Sequence, residues 1–317
     1  MPGGICPHRQ GARLPAAVRL RRIRFMLRSS AAFAAPTPTA AVGYQQLRAM
    51  GYSRKTLKAA IDSGHLFHAR RDVYLWRGAT PRQRSATRIG GRVDCISRLA
   101  ELGIFVLDET ELHVQVAPNA SRLRSSADRR TPLVRAPSTH RGRVHWRCTG
   151  AAPDDTVTPL VEALAQAFGC QGVRATIASI DSALHTGKLS ERDLDLLFQL
   201  APERYRVIRG LIDGRAESGP ETYARLIARE FGLPIELQKR IDGVGRVDLV
   251  VDGWLVIECD SREFHSTWEA QQEDHRRDMA LAARGYARIR VTAHQLFTEP
   301  HVLREAIRGL LATRPVA

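Results

Sequence analysis

The sequence predicts a multidomain α/β protein, and three observations carry that expectation. The chain has 317 residues, more than one hydrophobic core normally organises. Residues 43–80 read as helix, turn, helix and two short strands. After a polar, glycine-containing break at 213–219 the pattern becomes helix, three strands, helix, strand, helix, an α/β unit of about one hundred residues.

In the first unit, residues 45–50 form a short helix and Gly51 takes the turn. Ser53 is a suitable N-cap for a helix over Arg54–Asp62, and Gly64 stops it. Strands at 66–69 and 73–76 then flank an Arg70-Arg71-Asp72 turn, the outline of a small winged helix-turn-helix. Within 81–213, residues 112–117 alternate like a strand. Residues 121–147 are rich in arginine, serine and proline. Helices are expected at 157–168, 177–186 and 190–199. No catalytic constellation stands out there, so 81–213 reads as a connecting domain and 214–317 as the last one.

Lys and Arg number 48 against 33 Asp and Glu, a formal net charge of +15. Such a surface gains by releasing counterions from phosphates, which makes DNA the leading partner, with RNA a weaker one. Seven arginines (Arg9, Arg13, Arg19, Arg21, Arg22, Arg24 and Arg28) and no acid lie in the first forty residues. Residues 1–42 therefore read as a disordered basic tail, or as an upstream extension if translation starts at Met26 rather than Met1. Residues 31–35 are too short an apolar run for a secretory signal, and no stretch is apolar enough to span a bilayer. The five cysteines are scattered without a C-x-x-C pair. This argues against a zinc site and a disulfide framework and points to the cytoplasm.

The most informative passage is GRVDLVVDGWLVIECDSREFH, residues 245–265. Two apolar strands, 247–251 and 254–259, meet across Asp252-Gly253, a hairpin signal, and their continuous apolar character implies burial on both faces. Yet Asp248, Glu258 and Asp260 lie within or at the ends of these strands. A buried carboxylate needs a cation, a hydrogen-bond network or a shifted pKa. Side chains alternate along a strand, so Glu258 and Asp260 share a face. A two-residue connection turns Asp248 away from them; a three-residue connection, Asp252-Gly253-Trp254, sets it opposite Glu258. Converging acids would form a hard oxygen site for Mg²⁺ or Mn²⁺. The structural alternative is that these acids sit inert at strand ends.

Residues 245–265, with Asp274, Arg277 and Asp278, resemble the Vsr-like group of the PD-(D/E)XK nuclease superfamily, over about residues 214–313. The usual pattern is Val-Asp, an apolar strand, Glu-x-Asp-Gly, then His. Here it reads Val247-Asp248, then Glu258-Cys259-Asp260-Ser261, then His265, with Ser261 in place of the glycine. The resemblance implies a restriction-endonuclease-like mixed sheet flanked by helices. It implies that Asp248, Glu258 and Asp260 are metal ligands and that His265 contacts phosphate or transfers a proton. Glu221 has a family counterpart on the first helix; it also completes a capping box, Ser218-x-x-Glu221, ahead of a buried stripe of Tyr223, Leu226, Ile227 and Phe231. Arg277 shares a helix face with Asp274, Asp278 and Leu281. It is placed either to bind a phosphate oxygen or to pair with its own aspartates. Residues 43–80 resemble the N-terminal winged helix of AbiEi-type antitoxins, with Asp72-Val73-Tyr74 where that family has Gly-Val-Tyr. That resemblance implies DNA contacts from Arg54, Lys55 and Lys58 on the second helix and from Arg70 and Arg71 at the wing. The expected function is a metal-dependent DNA endonuclease. The alternative is a non-enzymatic, antitoxin-like DNA-binding regulator with a degenerate nuclease fold. A homodimer is compatible with either.

Overall fold

The computed structural model describes residues 40–260 and 268–313. Ser261, His265 and the basic segment over 1–39 lie outside the described residues. Within them the chain is mixed α/β with three sheets.

The first sheet has the order β1-β3-β2, from β1 (Ala41–Gly43), β2 (Leu66–Arg70) and β3 (Val73–Trp76). β1 is a correction: residues 41 and 42, assigned to the tail, pair antiparallel with β3. Helices α1 (Tyr44–Ala49) and α2 (Arg54–Asp62) precede the β2–β3 hairpin. Gly51 has φ 92°, which glycine tolerates without strain. Ser53 Oγ accepts from the Thr56 N–H and starts α2 where expected. Leu47, Leu57, Leu66 and Tyr74 close a small core under these helices. Helix α3 (Pro81–Ile89) then packs on β2. Phe67 of that strand lies under the guanidinium groups of Arg88 and Arg84, 4.6 and 5.4 Å from its ring centre.

The second sheet has the order β4-β5-β6, from β4 (Arg92–Val93), β5 (His113–Val116) and β6 (Arg143–Trp146). β6 lies inside the arginine-rich stretch that gave no strand signal, and it runs parallel to β5. Helix α4 (Cys95–Glu101) is likewise without a clear sequence signal. It packs with α5 (Leu160–Ala167), α6 (Val173–His185) and α7 (Glu191–Leu200) around Leu99, Leu164, Ile180 and Leu197.

The third sheet has the order β10-β9-β8-β7, from β7 (Ile235–Ile241), β8 (Gly245–Val251), β9 (Leu255–Asp260) and β10 (Ala287–Thr292). β7, β8 and β9 are antiparallel neighbours, while β10 joins β9 in parallel. Helix α8 (Gly219–Arg229) covers one face, and α9 (Trp268–Ala282) contributes Leu281 to a core with Val247, Val250 and Val256 on the other. Pro300 divides the last expected helix into α10 (Ala293–Thr298) and α11 (Pro300–Thr313).

α8 is more deeply set than an amphipathic stripe implies, for every residue from Gly219 to Ala228 is buried. One of them is Arg225. Its Nη2 lies 2.8 Å from Asp181 Oδ2 on α6, which also accepts from Thr222 Oγ1 at 2.8 Å; Asp181 Oδ1 accepts from the Asp213 N–H at 2.8 Å. The Asp181 and Arg225 side chains are 0 and 5 % exposed, so each is the other's main compensation for lost water. Ala175 and Ala178 of α6 belong to the same core as Tyr223, Leu249 and Ile257. The middle helices and the last sheet are therefore packed together across residues 213–214. Replacing Asp181 by Ala leaves Arg225 buried and unpaired. A denaturation curve is expected to show a loss of about 3–5 kcal/mol. Asp181→Leu combined with Arg225→Met is expected to recover most of it.

Candidate functional site

The β8–β9 connection has the three-residue form. Asp252 and Gly253 have φ of 50° and 74°, and the Trp254 N–H donates to the Val251 carbonyl at 3.2 Å. Pairing resumes at Val251↔Leu255, which continues through Val250↔Val256 to Leu249↔Ile257. One more step would set Asp248 against Glu258, but the ladder stops there. Val247 belongs to the core on the α9 side, together with Val250, whereas Leu249 belongs to the core on the α8 side. Residues two apart normally share a face, so the alternation breaks at Asp248. Gln238, the residue facing this point on β7, has φ 52° and drops out of its own ladder. The odd-length connection is thus present, and a local irregularity of β8 cancels the convergence it was expected to produce.

The carboxylates consequently have separate partners. Asp248 Oδ2 accepts the Cys259 N–H at 2.9 Å. Burial holds the Asp248 carboxyl above its ordinary range; the Cys259 N–H opposes this, Glu221 adds to it, and Arg277 and Glu217 act more weakly in opposite senses. Glu221 completes its capping box differently from expectation. The Ser218 hydroxyl donates to Oε1 at 2.8 Å, while Oε2 accepts the Glu217 N–H at 2.9 Å and Gln238 Nε2 at 2.7 Å. Asp260 is exposed at the end of β9. The Cys259 thiol between these strands is pushed well up, first by burial and then by Asp248, Glu221, Asp260 and Glu258. The four acids share a neighbourhood without sharing a point.

Glu258 is enclosed by arginines. Arg277 Nη2 lies 2.7 Å from Oε1, and Arg288 Nη1 lies 3.1 Å from Oε2, with Arg290 Nε at 3.7 Å. Arg288 also pairs with Asp278, and Arg290 Nη1 reaches Asp274 Oδ2 at 3.1 Å. Three arginines and three acids from β9, β10 and α9 form one alternating lattice. Arg277 does not pair with its own helical aspartates: its Nη2 meets Glu258 and the Arg246 carbonyl. A Mg²⁺ or Mn²⁺ ion requires several free carboxylate lone pairs in one place. With both Glu258 oxygens engaged and Asp248 bonded to the backbone, the described residues do not fit that ion.

Among the described residues, the group of His, Cys, Asp or Glu side chains close enough to hold a metal lies elsewhere. Cys95, His113, His145 and Cys170 bring their ligand atoms within 4.8 Å of one another. The expectation of no zinc-type site rested on the lack of a C-x-x-C pair, and this group contains none. Neighbouring parallel strands assemble the group, and the unassigned β6 supplies one of its members. Of the other cysteines, Cys259 is a free thiol.

At the N-terminal unit, Arg54, Lys55 and Lys58 are exposed on α2, with Lys58 ion-paired to Asp62 one turn later. Arg71 is exposed at the hairpin turn beside Asp72. Arg70 is not at the tip. It is half-buried against Gly90, where an added Cβ would meet its guanidinium, and burial followed by Arg124 lowers its pKa.

No helix of the described residues is long and apolar enough to cross a membrane. No family model matches this chain, and no curated protein matches it.

The raised Asp248 pKa has a definite sign. The folded state binds this proton more tightly than the unfolded chain, so the group's contribution is most favourable at low pH and declines as pH rises through the raised folded value. At neutral pH the ionised carboxylate is a net cost. Asp248→Asn, which retains an oxygen for the Cys259 N–H, is expected to raise the melting temperature by a few degrees at pH 7. The gap to wild type should close as the pH is lowered in a thermal-shift series.

Proposed function

We propose that this chain is a DNA-binding regulator whose C-terminal domain is a nuclease-type fold with its acidic site neutralised. One observation carries the reading: both carboxylate oxygens of Glu258 are held by Arg277 and Arg288. A carboxylate paired with two guanidinium groups and largely withdrawn from water has its charge already offset, so an incoming cation meets like charge there and gains little unless those pairs break.

The DNA-binding part is supported by the order of elements in residues 40–80. Two helices joined at a glycine turn precede a β-hairpin, and the sheet order is β1-β3-β2. α2 presents Arg54, Lys55 and Lys58 to solvent, and Arg71 projects from the adjoining hairpin. A helix of this kind would lie in the major groove while the hairpin arginine meets the phosphate backbone. Arg70 has a packing role, and Arg71 is the wing residue.

A second reading, a metal-dependent endonuclease acting on phosphodiester bonds, is favoured by a different observation. The three-residue connection brings Asp248 and Glu258 to the same end of the sheet, and the partly buried Asp248 carboxylate lies beside Glu221 with no cation dedicated to it. That combination is costly unless something positive compensates it. The reading requires Glu258 to be released from its arginines.

Two measurements separate these readings. In fluorescence anisotropy with duplex DNA, Arg54→Ala, Lys55→Ala and Lys58→Ala together should weaken binding at least about tenfold. They should also flatten the dependence on salt by about 0.9 in log–log slope per lost phosphate contact. The melting temperature should not change, because all three side chains are exposed. With Mg²⁺ or Mn²⁺ and several DNA forms, wild-type protein is expected to leave the DNA intact and to release no heat on titration with the ion. Cutting that disappears in Asp248→Ala would instead establish the endonuclease, and wild-type affinity in the triple variant would remove α2 as the DNA-reading element.

A further inference from the structure

The helical layer and the second sheet meet at four side chains from four separate elements. Cys95 is the first residue of α4, His113 begins β5, His145 lies on β6, and Cys170 follows α5. The register Gln115↔His145 and His113↔Arg143 puts both histidines on one face of adjacent parallel strands, one diagonal step apart. His113 Nδ1 and His145 Nε2 are 3.1 Å apart, and Cys170 Sγ is 3.9 Å from His145 Nε2. A tetrahedral ion with ordinary zinc–nitrogen and zinc–sulfur bonds has nitrogen–nitrogen edges of about 3.3 Å and nitrogen–sulfur edges of about 3.6 Å. Each observed separation lies within about 0.3 Å of the corresponding edge.

The surroundings hold these four donors in place. Cys95 is wholly buried with φ 52°, a left-handed backbone rarely taken by a residue with a side chain. The preceding Asp94 is pinned: Arg147 Nη2 and Thr158 Oγ1 each donate to its Oδ1 at 2.7 Å. The His113 N–H donates to Ser97 Oγ at 2.8 Å, which fixes the start of β5. Gln166 Nε2 approaches Cys170 Sγ at 3.8 Å, and Gln171 beside it donates to Ser179 Oγ at 2.8 Å. An amide donor placed as Gln166 is orients a metal-bound sulfur and supports its negative charge.

We propose that Cys95, His113, His145 and Cys170 form a structural Zn²⁺ site that fastens the β4-β5-β6 sheet to the α4–α5 layer. Two thiolates and two imidazoles suit Zn²⁺ and are poor ligands for Mg²⁺. Four protein donors complete a tetrahedron and leave no position for water or substrate, so the role is mechanical rather than catalytic. The ion closes chain segments of 32 residues between the histidines and 25 between His145 and Cys170. This joins a stretch of few regular elements, 117–142, to the helices behind it. The site is independent of the acids on β8 and β9 and stands whether or not the chain cuts DNA.

The test uses the full chain purified without chelator. Elemental analysis should find about one zinc per chain, retained in Cys259→Ser and lost in Cys170→Ser and His145→Ala. Zinc-stripped wild type titrated with Co²⁺ should develop the intense visible bands and thiolate charge-transfer absorption of tetrahedral sulfur–nitrogen coordination. That readout needs no variant to fold. Zinc removal should also lower the melting temperature, and added Zn²⁺ should restore it. The proposal is overturned by wild-type protein that lacks zinc and gives no tetrahedral Co²⁺ spectrum. It is equally overturned by zinc that persists in both ligand variants, or by mass spectrometry finding Cys95 and Cys170 joined as a disulfide.

Discussion

The buried pair between Asp181 on α6 and Arg225 on α8 is the constraint from which the arrangement of this chain follows. Arg225 is a charged residue in a helix buried on all sides, and such a position is tolerable only where an opposite charge and a further acceptor meet it, here Asp181 and the Leu211 carbonyl. Thr222 and the backbone N–H of Asp213 donate in turn to Asp181. The pair therefore fixes the rotation of α8 about its axis. That rotation brings Tyr223 and Ile227 onto the last sheet, turns Leu226 toward the helical layer, and sets Glu221 beside Gln238 and Asp248.

A second network decides what the acidic end of that sheet is able to do. Glu258, Asp274 and Asp278 alternate with Arg277, Arg288 and Arg290 across two strands and a helix. Parallel pairing places Arg290 beside Glu258 and Arg288 beside Val256 on the same face. The arginines of β10 reach the acid of β9 for the same reason that any cross-strand neighbours touch. The lattice holds α9 onto the sheet edge, and it offsets the negative charge that a divalent ion would need. Stability and metal binding compete for one carboxylate, and that competition underlies the choice between the two functional readings.

The middle of the chain gains its meaning from assembly. Residues 81–213 offer no compact motif, yet they hold a four-donor cluster, a buried Asp94 paired with the part-buried Arg147, and a sheet whose third strand lies within an arginine-rich stretch. Parallel strands do not need to be close in sequence, so donors 18 to 32 residues apart meet at one point without any short spacing to announce them. The signal that was present in the sequence was two cysteines and two histidines, each beside an apolar run. On its own that pattern is common.

Local chemistry determined much of this protein. Ser53, Gly51 and Gly64 set the bounds of α2; Asp252-Gly253 set the β8–β9 turn; Thr292 and Gln295 capped α10; and unbroken apolar runs marked strands buried on both faces. Each rests on interactions within a few residues, which a sequence displays directly. Only the tertiary structure decided the rest: a break in alternation at Asp248, the arginines around Glu258, the packing of Arg70 on Gly90, and the meeting of Cys95, His113, His145 and Cys170. These depend on which strands become neighbours and on where long side chains find opposite charge. Both are settled by long-range packing, and the sequence carries no local mark of either.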